Sequence, residues 1–454
     1  MNNIKKNQVM MFIWALLFVF CTQAFGRLFG IPYLFLDPEY LDKVNWVSLA
    51  IMGFSFGAFS MSFQITNYIL DSSRFSFLAT LRKPFGKFVI NNSIIPLAFL
   101  ITYLVAFFKF QTKSGFKSTD EIIIQAVAFV LAFLSIHVLM YFYFIFTNKD
   151  IFKLLAQKID KTISHTQVSK VNVMKQFKVN PFKKKTRVDY YYDLPFKWVK
   201  IDKTKVYDKE FISKVFDQNH LNAAIIQLIG FVSILVLSFF KDNVYFQIPA
   251  GASAMILFSF FIMVTGFFSY WFRGWAITGV IFLFFCLNHI VKNDLFDTTY
   301  KAYGINYNGK KAQYDLNRVY SLSSDKNFLK DVDSTMLILE NWRAKFPKEK
   351  KPKMVFVCVS GGGQRAAVWA LRSLQVLDTV SKGKLMNQTM LITGASGGMV
   401  GAAFYREYYL RNKQGILGVP LHSEKLFNNM SKDVLNPVAF SLVVNDLFFR
   451  SQNF

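Results

Sequence analysis

The sequence predicts an α-helical multi-pass membrane region followed by a partial α/β domain, a parallel sheet with flanking helices. Three observations carry this. Seven runs reach or approach the roughly 20 apolar residues that a helix needs to cross a bilayer core of about 30 Å. The chain of 454 residues is 53% hydrophobic and 18% charged, with mean hydropathy +0.29; ordinary soluble domains carry about 25% charged residues. After Lys353 the pattern twice reads short strand, glycine turn, helix, the grammar of a parallel α/β sheet. This composition excludes a disordered chain, a coiled coil or a soluble nucleic-acid binder.

The apolar runs are Val9–Phe25, Trp46–Leu70, Phe88–Phe108, Ile122–Phe146, Leu221–Phe240, Ile248–Phe272 and Trp275–Val291. They divide the chain into four helices in residues 1–147, a basic loop in 148–220, three helices in 221–292, a polar linker in 293–352 and the α/β region in 353–454. The first run follows Lys5 and Lys6 like a signal peptide. Phe20 stands where a lipobox before Cys21 needs a small residue, and the run reads as a retained anchor. Only Arg273 and Gly274 separate the last two runs, which suits a tight hairpin or a re-entrant pair. The 53 phenylalanines are accounted for by lipid exposure or by biased nucleotide composition.

Charge orients the bundle. Lys and Arg number 53 against 28 Asp and Glu, a net charge of +25. The loop Asp71–Lys87 carries Arg74, Arg82, Lys83 and Lys87. Residues 148–220 carry 17 Lys/Arg against eight Asp/Glu, including Lys183–Lys185 and Arg187. Basic loops stay in the cytoplasm, so these loops and the N-terminus are expected there. Tyr190–Tyr192 and Trp198 among the lysines suit a membrane-surface segment; a solvated basic linker fits equally. Three spans after the basic loop would leave the C-terminal region outside the cytoplasm. If Ile248–Val291 does not cross twice, it lies inside. Cys21, Cys286 and Cys358 are too widely spaced for a disulfide framework or a zinc site, and no metal is expected. His137, inside an apolar run, reads as packed sooner than functional. The runs hold no paired carboxylates and no repeat, which leaves transport through the bundle, with the C-terminal segment regulatory, a reading with little support.

The linker contains a helix over Val332–Phe346, with Met336, Leu337, Leu339, Trp342 and Phe346 at helical spacing. Met354–Val359 is a β-branched and aromatic strand that ends at Ser360-Gly361-Gly362-Gly363. A helix follows from Gln364, with Ala367, Val368, Leu371, Leu374 and Leu377 on one face. Met390–Ile392 is a second strand, Gly394–Gly398 a second turn, and Val400–Leu410 a second helix. Gly394-Ala395-Ser396-Gly397-Gly398 fits G-x-S-x-G. That spacing lets strand and helix approach closely and presents the serine hydroxyl at the tip, near the positive end of the helix. Gly361, Gly362 and Gly363 supply consecutive backbone N–H groups suited to stabilising an oxyanion. A phosphate cradle would need Gly-Lys-Ser/Thr or G-x-G-x-x-G, and neither occurs. Either turn alone is commonplace; both, in this order, point to a site.

Ser360-Gly361-Gly362-Gly363-Gln364-Arg365 followed by Gly394-Ala395-Ser396-Gly397-Gly398 resembles the patatin-like phospholipase superfamily, over roughly Lys353–Tyr409. The resemblance implies a lipid acyl hydrolase of the Ser–Asp dyad type. Ser396 would be the nucleophile, Gly361–Gly363 the oxyanion hole, and Gly394, Ala395, Gly397 and Gly398 the elbow. Arg365 would contact the loop or a lipid phosphate. It implies no metal or organic cofactor, a membrane phospholipid or other lipid ester as substrate, the bilayer as partner, and no nucleic acid. The location expected is integral to a bacterial inner or plasma membrane, multi-pass. Ala366 stands where many members have glycine, which resembles the related eukaryotic cytosolic phospholipases. The family's Asp-Gly pair is absent from this chain, Asp433 and Asp446 have no glycine after them, and Lys353–Phe454 is short for such a domain. The expectation is therefore a truncated catalytic domain whose dyad aspartate lies elsewhere. The alternative is a non-catalytic membrane scaffold or sensor with a lipid-binding segment. His422 as a substitute base has nothing in its sequence setting to favour it.

Overall fold

In the computed structural model the chain forms two units, Met1–Thr298 with Asp433–Phe454, and Thr299–Lys432. Residues 8–72, 75–148, 178–179, 188–193, 197–201, 207–272, 282, 285–286, 289, 306, 308–310 and 313–447 are described.

The first unit is helical: α1 (Gln8–Cys21), α2 (Ile31–Leu36), α3 (Trp46–Asp71), α4 (Pro84–Asn91), α5 (Ile94–Ser114), α6 (Thr119–Thr147), α7 (Lys209–Leu237) and α8 (Ala250–Phe272). Two antiparallel pairs lie between α6 and α7: β1 (Lys178–Val179) with β4 (Tyr207–Asp208), and β2 (Tyr190–Asp193) with β3 (Lys197–Lys200). Five stretches are long and apolar enough to cross a membrane: Trp46–Asp71, Ile94–Ser114, Thr119–Thr147, Ile212–Phe240 and Ala250–Phe268. The seventh expected run, Trp275–Val291, lies almost wholly outside the described residues, as does much of the basic loop.

Helix α3 is central because its small residues let neighbours approach. A Cβ on Gly53 would stand 2.1 Å from the Phe129 carbonyl oxygen of α6, and one on Gly57 would stand 2.8 Å from that of Phe133. Asn45 caps α3 through Val47 and Ser48, and Ser118 caps α6 through Glu121, each as a capping box. Buried polar groups tie the helices together. Thr66 Oγ1 donates to the Ile262 carbonyl at 3.0 Å and accepts from Gln227 Nε2 at 2.6 Å. Ser60 Oγ meets His137 Nε2 at 3.2 Å, consistent with a packed histidine. Much of the phenylalanine is not lipid-facing: Phe56, Phe59, Phe63, Phe99, Phe129 and Phe133 surround or adjoin the buried Trp14 in an aromatic core.

Two spans differ from the apolar runs. The first helix, α1, has 14 residues. The run Phe88–Phe108 is broken at Asn92–Ser93 into α4 and α5, because Pro96 has no N–H to offer the Asn92 carbonyl and Gln64 of α3 takes over the polar groups at the break. Its Oε1 accepts from Asn92 Nδ2 at 2.9 Å, and its Nε2 donates to the Asn92 carbonyl and to Ser93 Oγ.

The bundle has two polar ends. At one, Asp37 Oδ1 accepts from Gln111 Nε2 at 2.9 Å and pairs with Lys117 at 3.1 Å, while Tyr40 Oη donates to the Tyr245 carbonyl at 2.8 Å. At the other, Lys87 pairs with Asp193, Asn91 exchanges two hydrogen bonds with the Tyr192 backbone, and Ser72 Oγ meets His220 Nε2 at 2.6 Å. The segment from Asp433 belongs by its contacts to this unit. It forms a short helix, Leu435–Ser441, and a π-helical turn, Leu442–Asp446.

The second unit begins with the exposed helices α9 (Leu316–Leu322) and α10 (Asp325–Arg343). The helix expected over Val332–Phe346 thus starts earlier and is solvated, with only Trp342 buried. Then follow β5 (Val355–Val359), α11 (Gly363–Val380), α12 (Lys384–Gln388), β6 (Thr389–Gly394), α13 (Ser396–Lys413) and α14 (Glu424–Ser431). Strands β5 and β6 pair in parallel, with Val359 opposite Gly394. Their alternation turns Val357, Val359 and Ile392 toward a core of Leu371, Leu374, Ala402 and Tyr405, and leaves Phe356, Cys358 and Leu391 exposed.

Candidate active site

Both glycine turns leave the same edge of the β5–β6 pair. Strand β5 ends at Val359 and runs through Ser360–Gly362 into α11; β6 ends at Gly394 and runs through Ala395 into α13. The Ala395 N–H donates to the Val359 carbonyl at 3.3 Å, which pins the second turn to the end of the first strand.

Glycine is required at this junction by space. A Cβ on Gly394 would stand 2.3 Å from the Val359 carbonyl oxygen, on Gly397 1.8 Å from that of Gly363, and on Gly398 2.2 Å from that of Ser360. Gly401, which the motif does not include, continues the row at 2.1 Å from the Ala367 carbonyl oxygen. The N-terminal turns of α11 and α13 are thereby in backbone contact. Each helix start carries four N–H groups without an intrahelical partner and about half a positive charge, so two such poles lie side by side.

Ser396 is exposed at that point and has φ +48°. Serine seldom adopts this left-handed region, and holding it there costs about 1 kcal/mol or more. Gly362 and Gly363 also have positive φ, +149° and +63°, and Gly361 lies directly beside Ser396: a Cβ on Gly361 would come within 3.2 Å of the serine Cβ. The sequence-predicted residues Gly361–Gly363, Gly394, Ala395, Ser396, Gly397 and Gly398 are thus brought together. Arg365 is exposed in the first turn of α11, beside them in sequence.

Among the described residues no carboxylate or imidazole hydrogen-bonds Ser396. The acid of this unit that is buried, Asp378, is engaged elsewhere. Its Oδ2 accepts from Tyr405 Oη at 3.0 Å and lies 3.6 Å from His422 Nε2, and its Oδ1 has no hydrogen-bond partner. Tyr405 is nine residues along α13 from Ser396, about 13 Å at helical rise. The Asp378–Tyr405–His422 cluster therefore ties α11 and α13 together away from the serine. Burial, then the Asp378 charge and hydrogen bond, push the Tyr405 phenol well above its usual value. Sequence reading missed this cluster; the helical spacing of Leu371, Leu374 and Asp378 on α11 was its one visible sign. Among the described residues no group of three His, Cys, Asp or Glu side chains could hold a metal ion.

No family model, curated protein or solved structure matches the chain.

Proposed function

We propose that this chain is a membrane-anchored serine acyl hydrolase acting on lipid esters, with Ser396 as its nucleophile. The observation that carries the reading is the backbone of Ser396. A serine held at positive φ, on a strand-to-helix turn where four glycines allow backbone contact, is strain placed where nucleophilic chemistry uses it. The expected reaction is attack of Ser396 Oγ on the ester carbonyl, release of the alcohol, and hydrolysis of the acyl-enzyme by water. Backbone N–H groups of Gly361–Gly363 and the paired helix starts would stabilise the oxyanion. Arg365 would bind a lipid phosphate. Anchoring in the bilayer favours the encounter, because enzyme and ester already share one surface.

The test is hydrolysis of ester phospholipid in proteoliposomes containing the full chain. Release of fatty acid that disappears in Ser396→Ala supports the reading; release unchanged by Ser396→Ala removes it. One observation favours a second reading, a lipid-binding scaffold without turnover: no acid or imidazole is bonded to Ser396 among the described residues. That reading expects vesicle binding insensitive to Ser396→Ala and no fatty acid release.

A further inference from the structure

The segment that follows the α/β unit returns to a particular end of the bundle. Asp433 Oδ1 caps the short helix by accepting from the Leu435 and Asn436 N–H groups at 2.8 and 3.2 Å. Asn436 then reaches two parts of the bundle at once. Its Oδ1 accepts from the Ala250 N–H at 2.7 Å, at the start of α8, and its Nδ2 donates to the Glu39 carbonyl at 2.7 Å. Further on, Asn445 Oδ1 accepts from Ser238 Oγ at 3.2 Å, and Phe440, Val443 and Val444 are buried in a cluster with Ile234 and Met263. Glu39, Ser238 and Ala250 all belong to the Asp37 end.

Charge tells the two ends apart. Residues 22–45, 115–118 and 238–249, which make the Asp37 end, carry four Lys/Arg and four Asp/Glu. Residues 72–93 and 148–208, which join helices at the Asp193 end, carry 19 Lys/Arg against six Asp/Glu. A bias of that size places the Asp193 end in the cytoplasm and the Asp37 end across the membrane. Helix α8 starts at the Asp37 end, so its last residue, Phe272, is at the cytoplasmic end; the return crossing that the inference requires is one that the apolar run Trp275–Val291 is long enough to make by sequence.

We infer that the α/β unit is in the non-cytoplasmic compartment, and that Ser396 takes its ester from the leaflet on that face. Lys432 is bonded to Asp433, so the chain before it occupies the aqueous compartment that bathes the Asp37 end. The leaflet assignment rests on the hydrolase reading; the compartment does not.

Single cysteines in the full chain, with Cys21, Cys286 and Cys358 replaced by serine, test the compartment. Intact cells are treated with a membrane-impermeant maleimide. Lys425→Cys on α14 and Phe116→Cys at the Asp37 end are expected to label from outside, and Lys197→Cys on β3 only after the membrane is opened. The exposed native Cys358, kept as the single cysteine with Cys21 and Cys286 replaced by serine, gives the same readout. Protection of Lys425→Cys and Cys358 alongside Lys197→Cys overturns the inference. The leaflet is tested in oriented proteoliposomes carrying the ester lipid in one leaflet. Ser396-dependent release confined to the leaflet opposite the basic loops is expected, and release from the basic-loop leaflet overturns it. Correct labelling without any Ser396-dependent release removes the hydrolase reading, and the leaflet assignment with it, but leaves the compartment standing.

Discussion

Gly361 and Ser396 come from different turns, yet a Cβ added to the glycine would lie 3.2 Å from that of the serine. The two motifs are therefore one constellation. Strand pairing places their turns at one sheet edge, and the glycines let the two helix starts touch.

The backbone at Ser396 sets stability against activity. Glycine accepts φ +48° without the steric penalty that serine bears. Ser396→Gly is expected to stabilise the α/β unit by about 1 kcal/mol while abolishing hydrolysis. Ser396→Ala is expected to abolish hydrolysis without that gain. Thermal unfolding of the full chain in detergent, followed by hydrogen exchange in β6 and α13, separates the two.

Backbone contact between α11 and α13 leaves no room for a methyl group. Gly397→Ala would force a carbon against an oxygen 1.8 Å away, so the helices must separate. A loss of about 3 kcal/mol is expected. Gly418→Ala, with nothing within 4 Å of the added carbon, should be near neutral. Limited proteolysis of α13 in the two variants checks the contrast.

Tyr405 makes the α/β unit sensitive to alkali. Its phenol is held above the ordinary value of about 10 by burial and by Asp378. The native unit keeps the proton where the unfolded chain has lost it, so this contribution is intact below about pH 10 and declines as pH rises further. Tyr405→Phe is expected to leave Asp378 without its donor, at a loss of about 1–3 kcal/mol near neutrality, and to flatten the alkaline decline. Denaturant titrations at pH 8 and pH 11 read both effects.

In the bundle, Gly53→Val is expected to push α3 away from α6, because its Cβ would meet the Phe129 carbonyl oxygen at 2.1 Å. The expected outcome is a lower detergent-melting temperature, with Gly86→Val on α4 tolerated; there the nearest atom, on Tyr141, is 3.7 Å from the added carbon.

What was legible in the sequence was local. The strands, the glycine turns and the helices after them are fixed by neighbouring residues, and five of the apolar runs appear as helices long enough to cross a bilayer. What was not legible depended on distant partners. At the Asn92–Ser93 break, Asn91, Asn92, Ser93 and Pro96 are visible in the sequence, but the residue that holds the break, Gln64 of another helix, is not. Asn436 is one amide in a short apolar stretch, and its partners, Glu39 and Ala250, are far away in sequence. The positive φ of Ser396 is a property of the folded turn, which the pentapeptide only permits. The aromatic core around Trp14 was hidden because a phenylalanine facing lipid and one facing another helix read alike.

Whether Ser396 is a nucleophile is decided by its covalent capture by a serine-directed phosphonate ester in membranes containing the full chain. An adduct is expected on the peptide bearing Ser396, formed in the wild type and absent in Ser396→Ala, with Ser360 unmodified. A wild-type Ser396 left intact by treatment that labels a known serine hydrolase in the same membranes would show that it is not one.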